Sequence, residues 1–273
     1  MGARVWYNCV MKIGISTASL FPERHTEEAL HTIKSLGVSV AEVFLSTFYE
    51  YRPEFSKSLK VELDGLKVNS VHTMPLNFEP NLFNVTRRVR GDGFYWLDQV
   101  CRSAQLLGAE NYTFHGFVRT GGADARADDI GFIGERIAEA HAFCANYGVH
   151  LCIENTAHYA YNRPGFFRAV REYARDLYGV FDLKQARRSG YPYQAYIEDM
   201  SGAIAYAHLS DVDKNGKMCL PGKGIYDFAE IFKRLKGAGF DGVAVVENYR
   251  PDYGNAEELK ESVLYLQELA DKA

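Results

Sequence analysis

The chain has 273 residues, of which 47% are apolar, so it is long enough to bury a large hydrophobic core. Its formal charge of −4, its pI near 6.1 and the lack of long blocks of like charge argue against nucleic acid or an anionic membrane as a partner, and a small molecule is the expected ligand. The five cysteines are scattered and form no C-x-x-C pair, which argues against a disulfide framework and a thiolate zinc site and suits a reducing cytoplasm.

The N-terminal residues MGARVWYNCV are too few and too polar for a signal peptide, and no later run of about 18 apolar residues would span a membrane. The stretch MKIGIST, which begins at Met11, reads like a natural chain start. We therefore expect an N-terminal extension over residues 1–11, a single domain over residues 12–273 and a cytoplasmic location.

Short apolar, β-branched runs recur along the chain and are separated by amphipathic stretches, a pattern typical of alternating strands and helices. Strands are predicted at residues 12–17, 40–45, 67–72, 111–115, 150–154, 178–182, 204–209 and 242–247. Helices are predicted at residues 26–36, 54–63, 94–107, 130–147, 166–176, near 196, 228–235 and 256–266.

This alternation predicts a single closed (β/α)₈ barrel, the TIM barrel, of the α/β class. Each unit has about 30 residues and no Pro- or Ser-rich linker divides the chain. A doubly wound open sheet is the alternative, but no G-x-G-x-x-G follows the first strand. Residues 74–93 are long for a connecting loop, and we expect them to form part of a lid over the catalytic face.

Possible metal ligands stand at or next to the ends of the last six predicted strands. A single histidine or glutamate in such a place is usually structural, but the C-terminal ends of barrel strands converge on one face, where several side chains can meet. The residues are His72, His115, Glu154, Asp182, His208 and Glu247.

Three of these side chains, Glu154, Asp182 and Glu247, are carboxylates that would repel one another in one pocket unless a cation neutralised them. Together with His208 they would form an oxygen-rich site with one nitrogen. Such a donor set suits Mn²⁺, Mg²⁺, Co²⁺ or Zn²⁺ and differs from a closed structural zinc site. We therefore predict one divalent metal ion held by these four residues.

Four motifs resemble those of the xylose-isomerase-like barrels, a family that includes sugar isomerases and epimerases, inosose dehydratases and apurinic endonuclease IV. They are CIEN at 152–155, FDLKQ at 181–185, HLSD at 208–211 followed by PGKGIYD at 221–227, and VVEN at 245–248. The resemblance covers about residues 12–270 and implies the same four metal ligands. It also implies that Glu154 and Glu247 act as acid and base beside the metal.

The resemblance leaves the role of His72 and His115 open, because the matching positions bind a further zinc in the endonuclease branch and line the substrate pocket in sugar-converting members. Gln185 stands where the family often has a histidine, and residues 211–224 contain no histidine, so the three-metal machinery of the endonuclease is incomplete. A glutamine can still exchange hydrogen bonds with a hydroxyl group. The predicted substrate-binding residues are His72, His115, Gln185, Lys184, Asp211 and Lys223.

The predicted function is isomerisation or epimerisation of a small sugar or sugar-like hydroxy-carbonyl compound, through proton abstraction and a metal-stabilised enediolate. The alternatives are dehydration of an inosose or a dehydroshikimate-type substrate, DNA repair like that of apurinic endonuclease IV, and a non-catalytic binding barrel. A small carbohydrate is the expected partner; nucleic acid and membrane are not expected, and a homo-oligomer is left open.

Overall fold

The computed structural model describes residues 11–119 and 128–273. The extension predicted for residues 1–11 therefore lies outside the described residues, apart from Met11, which is buried. None of the helices in the described ranges has the length and apolar character that a membrane span requires.

The described residues form ten strands, eight of which close into one parallel barrel. In chain order the strands are β1 (Lys12–Ser16), β2 (Val40–Leu45), β3 (Lys67–Thr73), β4 (Asn111–Phe114), β5 (His150–Glu154), β6 (Tyr178–Asp182), β7 (Ile204–Leu209), β8 (Asp211–Val212), β9 (Met218–Cys219) and β10 (Val243–Val246). Strands β1 to β7 follow one another around the ring, and β10 pairs with both β7 and β1 to close it. The predicted (β/α)₈ barrel is confirmed. Strands β8 and β9 form a small antiparallel hairpin after β7.

Helices surround the barrel between the strands, as the periodicity predicted. They are α1 (Thr26–Ser35), α2 (Pro53–Ser58), α3 (Arg87–Leu107), α4 (Ile130–Ala145), α5 (Phe166–Arg171), α6 (Leu183–Arg188), α7 (Tyr193–Asp199), α8 (Phe228–Gly237) and α9 (Ala256–Lys272). Helix α6 was not predicted; it begins directly after β6 because an Asp182 carboxylate oxygen accepts the backbone N–H of Gln185 at 2.6 Å, which caps its first turn.

The long segment between β3 and β4 differs from its prediction. Helix α3 begins at Arg87 instead of residue 94, and the connection before it contains a 3₁₀ turn, Glu79–Phe83, that packs onto the barrel. Gly93 allows this packing, because a Cβ there would lie 3.1 Å from the backbone nitrogen of Leu82. The two glycines of the first turns lower the intrinsic helix propensity, which explains why the sequence placed the helix start too late.

Strand β2 is buried at every position, as a strand enclosed within a barrel and its helices must be. Its residues Val40, Ala41, Val43, Phe44 and Leu45 are apolar, but its third residue is a glutamate. A charged side chain at such a position needs partners within the barrel, and this requirement defines one wall of the site described next.

Candidate metal centre

The four predicted metal ligands meet at the C-terminal end of the barrel strands. They come from β5, β6 and β7 and from the residue after β10, and these four strands are neighbours in the ring. One possible ligand atom from each of Glu154, Asp182, His208 and Glu247 lies within 4.8 Å of the others, and all four side chains are buried. His208 Nδ1 lies at the centre of the group, 2.8 Å from Glu154 Oε1, 3.6 Å from Asp182 Oδ2 and 3.8 Å from Glu247 Oε2.

The asparagine that follows each glutamate holds the strand ends in place. Asn155 exchanges two hydrogen bonds of 2.8 Å with the backbone of Asp182, which ties the end of β5 to the end of β6. Asn248 donates its side-chain amide to the carbonyl of Cys219 at 2.9 Å and its backbone N–H to Ser19 Oγ at 3.1 Å. The recurring Glu-Asn pairs of CIEN and VVEN thus combine a glutamate directed at the site with an amide that fixes its backbone.

Two buried carboxylate oxygens of the cluster, Asp182 Oδ2 and Glu247 Oε1, accept no hydrogen bond from the part of the chain that the structure describes. His72 Nδ1 lies 3.5 Å from Glu247 Oε1, which is too far for a good hydrogen bond. Leaving a buried acceptor unpaired costs about 1–3 kcal/mol, and more for a charged group. A cation bound between these oxygens would remove that cost.

The donor set therefore fits a divalent ion. Three carboxylates and one imidazole suit Mn²⁺, Mg²⁺, Co²⁺ or Zn²⁺. With metal–ligand bonds of about 2.0–2.2 Å, the ligand atoms around a tetrahedral ion are about 3.4 Å apart. The four candidate ligand atoms all lie within 4.8 Å of one another, so the side chains would have to draw closer together to contact one ion.

The pKa shifts of Glu154, Asp182 and His208 show how strongly the groups of the cluster interact. Burial opposes charge on Glu154, but the hydrogen bond and the charge of His208 lower its pKa to about 2. Burial raises the pKa of Asp182 above its ordinary value despite the charge of Lys184. Burial also opposes charge on His208, yet the carboxylates of Glu42 and Glu247 raise its pKa well above the ordinary value. The carboxylates thus favour a positive charge at the centre of the cluster, which a bound ion would supply.

Lys184, predicted to bind substrate, is instead buried beside the cluster, with a side chain that is 1% exposed. Its Nζ donates to Glu247 Oε2 at 2.8 Å and lies 4.0 Å from the centre of the Tyr249 ring. The charge of Lys184 contributes to lowering the pKa of Glu247, which burial would otherwise raise. Lys184 is thus the ionic partner of Glu247, and Lys184 itself does not line the cavity.

Asp211 and Lys223 are the two predicted substrate-binding residues that the structure does not bring to the cluster. Asp211 is buried, and its carboxylate accepts backbone N–H groups from residues 212, 222, 224, 225 and 226. These contacts organise the turn that contains Gly222, whose φ of +86° is readily adopted only by glycine. Lys223 is exposed and pairs with Glu261 at 3.2 Å. Asp211 therefore shapes a loop, and Lys223 lies on the surface.

A cavity of about 380 Å³ opens above the cluster. Glu154 and Glu247 reach it, and so do three predicted substrate-binding residues, His72, His115 and Gln185. Its apolar wall is formed by Phe21, Pro22, Phe44, Met74, Tyr159 and Tyr249. An apolar wall above a floor of convergent polar groups is typical of a small-molecule site.

His72 and His115 face each other across the cavity floor, with 3.0 Å between their Nε2 atoms. His115 also approaches Glu154 Oε2 at 3.4 Å. Its other ring nitrogen lies 3.3 Å from Glu79, a buried carboxylate that additionally accepts the backbone N–H groups of His115 and Gly116 at 2.8 and 2.9 Å. Glu79 was missed by the sequence analysis because it lies in an irregular connection where no periodicity marks a buried position.

Glu42 in the middle of β2 is the second residue that the sequence analysis missed. It is fully buried, and its carboxylate lies 3.1 Å from His208 Nε2 and 3.3 Å from His72 Nδ1. Its pKa is far below the ordinary value, because the charges and hydrogen bonds of the two histidines outweigh the effect of burial. Together with His72, His208 and Glu247 it forms a second group of possible ligands. A lone carboxylate within the apolar run VAEVFL was the available signal.

Comparison with known proteins agrees with this architecture. Residues 30–269 match the family model described as xylose isomerase-like TIM barrel. An uncharacterized protein of Methanocaldococcus jannaschii is 23% identical over 248 residues, which is 87% of this chain and 84% of that protein.

Two solved structures are similar over nearly their whole length. An L-ribulose 3-epimerase superposes on this chain with a TM-score of 0.76 at 18% identity, and the match covers 96% of this chain and 95% of the epimerase chain. An IOLI protein with a binding zinc atom gives a TM-score of 0.76 at 18% identity and covers 96% of this chain and 99% of its own. At these identities the likeness shows a shared fold.

Proposed function

The chain belongs to the xylose isomerase-like TIM barrel family, and from this premise we propose that it is a divalent-metal-dependent isomerase or epimerase of a small sugar or sugar-like hydroxy-carbonyl compound. The observation that carries the proposal is the convergence of three carboxylates and one imidazole beneath a cavity that Glu154 and Glu247 line, with two carboxylate oxygens unpaired among the described residues. The similarity to an L-ribulose 3-epimerase supports the substrate class by analogy of fold.

In this proposal the ion is held by Glu154, Asp182, His208 and Glu247. When bound, a divalent ion supplies a Lewis acid that polarises a substrate carbonyl and offsets negative charge on the substrate oxygens. The chain supplies the rigid cage: Asn155 and Asn248 fix the strand ends, and Lys184 holds one oxygen of Glu247 while the other stays free.

Glu154 and Glu247 are the proposed proton-transfer residues. They stand at the ends of β5 and β10, with β6 and β7 between them in the ring, and both line the cavity. Epimerisation beside a carbonyl removes a proton from one face of a carbon and delivers another proton to the opposite face, and two carboxylates that approach from two sides suit this reaction. Thr156 Oγ1 donates to Glu154 Oε2 at 2.7 Å and thereby orients this carboxylate.

The remaining polar groups of the cavity are suited to hydroxyl groups. Gln185 can donate and accept hydrogen bonds, and His72 and His115 offer ring nitrogens beside Glu154 and Glu247. Apart from the histidines, the cationic side chain among the described lining residues is that of Arg250. Its guanidinium already pairs with Glu23 at 3.0 Å and donates to the Tyr253 carbonyl at 2.6 Å. These pairings favour an uncharged sugar over a sugar phosphate.

Metal analysis combined with deuterium exchange tests the proposal. Protein purified without chelators is expected to contain divalent metal in near-stoichiometric amount. In D₂O it is expected to exchange a substrate C–H hydrogen for deuterium, which NMR would detect over a panel of free ketoses and their phosphates. Glu154→Gln and Glu247→Gln are expected to lower the rate about 10²–10⁴-fold, since each removes one proton-transfer group.

The matched control is Glu261→Gln, which alters an exposed carboxylate paired with Lys223 and should leave the exchange rate unchanged. A conjugated product that absorbs in the ultraviolet would assign dehydration instead of epimerisation. A folded protein that binds no divalent ion under any loading condition would refute the proposal, and so would exchange that survives both glutamine variants.

A further inference from the structure

We propose that Glu42 is a positioning residue of the metal centre, which holds the Nε2–H group of His208 and thereby directs the Nδ1 lone pair at the ion. This inference rests on the metal site of the proposed function, because it concerns how one of its four ligands is oriented. Neither the motifs nor the strand-end rule assigned any role to Glu42.

The two ring nitrogens of His208 face different carboxylates. Nδ1 is surrounded by Glu154, Asp182 and Glu247, the other members of the candidate site, at 2.8 to 3.8 Å. Nε2 points away from them and lies 3.1 Å from Glu42 Oε2. A neutral imidazole carries one N–H and one lone pair, and a metal binds the nitrogen with the lone pair. With an ion bound among these three carboxylates, the lone pair would therefore lie on Nδ1 and the proton on Nε2, whose N–H group would donate to Glu42.

The hydrogen bonds of Glu42 distinguish it from two of the three carboxylate ligands. Ser16 Oγ donates to Oε1 at 2.9 Å, while Ser70 Oγ and Thr113 Oγ1 donate to Oε2 at 2.8 and 3.0 Å. Asp182 and Glu247, in contrast, each keep an oxygen that accepts nothing from the described residues. Glu42 also does not line the cavity, whereas Glu247 does. Glu42 is thus the satisfied support, and the other two are open ligands.

The three hydroxyl donors fix the position of Glu42 from three directions. Ser16, Ser70 and Thr113 belong to β1, β3 and β4, so a carboxylate on β2 is anchored by its neighbours in the ring and by the strand beyond. From this anchored position it reaches across the barrel interior to His208 on β7. A carboxylate bonded to the distal N–H of a ligating histidine fixes the ring orientation and raises the basicity of the ligand nitrogen.

The test compares metal affinity in the wild type and in Glu42→Gln by competition with a chromophoric chelator, using Zn²⁺ as the probe. The variant keeps the size of the side chain but removes the charge, and its dissociation constant is expected to rise about 10- to 100-fold, as is typical for outer partners of ligating histidines. In the same samples, ¹⁵N-correlated NMR of the histidine rings should show His208 as the Nε2–H tautomer in the loaded wild type, with a downfield N–H resonance that shifts in the variant.

Glu79→Gln is the matched control, because Glu79 is another fully buried carboxylate but contacts His115 instead of His208. Its Zn²⁺ affinity is expected to stay near that of the wild type. Should Glu42→Gln fail to fold, Thr113→Val removes one hydroxyl that anchors Glu42 and should weaken Zn²⁺ binding and shift the same His208 resonance to a smaller extent.

The outcomes separate the two proposals. A wild type that binds Zn²⁺ with a Glu42→Gln variant of equal affinity, or a loaded His208 with its proton on Nδ1, would overturn the role of Glu42 and leave the metal centre standing. A wild type that binds no ion would overturn both. Weaker binding with a changed His208 resonance in Glu42→Gln, but not in Glu79→Gln, would establish the positioning role.

Discussion

At the level of single residues, five of the buried carboxylates of this barrel fall into two groups according to whether all their oxygens have hydrogen-bond partners. The carboxylates of Asp211 and Glu79 accept hydrogen bonds from backbone N–H groups, and that of Glu42 accepts them from hydroxyl groups and lies against two histidines. Asp182 and Glu247 each keep one oxygen without a partner among the described residues. A satisfied carboxylate stabilises the fold, whereas an unsatisfied one costs free energy until a ligand arrives.

Lys184 provides a test of this distinction, because it neutralises Glu247 only in part. Replacement by methionine keeps most of the side-chain volume but leaves a buried carboxylate without its cation, so the metal-free protein should lose about 3–5 kcal/mol of unfolding free energy. Removal of a positive charge next to the site should at the same time strengthen the attraction for a divalent ion. Thermal unfolding with and without added Mn²⁺ should therefore show a larger metal-induced rise in Tm for Lys184→Met than for the wild type.

Lys223→Met serves as the comparison, since its exposed ion pair with Glu261 should contribute less than about 1 kcal/mol. A Lys184→Met protein that is as stable as the wild type without metal would contradict the pairing with Glu247. A metal-induced rise in Tm that is smaller for Lys184→Met than for the wild type would contradict the expected repulsion between Lys184 and the ion.

The sequence was informative about residues at strand ends and less so elsewhere. The convergence of Glu154, Asp182 and His208 follows from barrel closure, which brings successive strand ends to one face whatever the loops do. Glu42 lies in the middle of a strand, where a rule about strand ends does not look. Asp211 comes soon after β7, where a residue of the site would be expected. The turn at residues 220–226 folds back and donates backbone N–H groups to its carboxylate, which only the tertiary structure reveals.

At the level of elements, the strands were easier to predict than the helices. Barrel strands are buried on both faces and read as apolar runs, so their bounds were right to within one or two residues. Helix α3 and helix α6 depend on local contacts, namely the close packing at Gly93 and the cap from Asp182, that no period in the sequence reports. The general alternation was therefore predictable, but the segments that shape the cavity were less so.

The pairing of β1 with β2 depends on a glycine. A Cβ on Gly14 would lie 2.5 Å from the carbonyl oxygen of Val40 and 3.0 Å from its carbonyl carbon, closer than side chains approach a backbone. Gly14→Ala should force the two strands apart and destabilise the barrel by about 1–3 kcal/mol, measured by urea unfolding.

Gly91 in α3 supplies the opposite expectation within the same chain. A Cβ at this position would meet nothing within 4 Å, and the position is exposed. Gly91→Ala should therefore stabilise the folded protein by about 0.4–1 kcal/mol, because alanine lowers the conformational entropy of the unfolded chain. Equal effects of the two substitutions would show that the contact between Gly14 and Val40 does not limit strand pairing.

For the molecule as a whole, the candidate site divides the barrel into two arcs. Strands β5, β6, β7 and β10 are consecutive in the ring and carry the four candidate ligands. Strands β2, β3 and β4 carry or directly precede Glu42, His72 and His115, which support that cluster from the other side of the barrel. A bound ion would therefore cross-link one arc directly and the other only indirectly, through the contacts of its ligands with Glu42, His72 and His115.

Removal of the ion should accordingly loosen the molecule unevenly. At an ion concentration about 100 times the dissociation constant, binding to the folded state contributes about 2.7 kcal/mol, which should raise Tm by roughly 5 °C in a chain of this size. Hydrogen exchange followed by mass spectrometry should then show, after chelation, faster exchange at the C-terminal ends of β5, β6, β7 and β10 than at those of β2 and β3. Because a ligand that bound elsewhere would protect a different set of strands, equal loss of protection in both arcs would contradict the assigned cage even if Tm fell as expected.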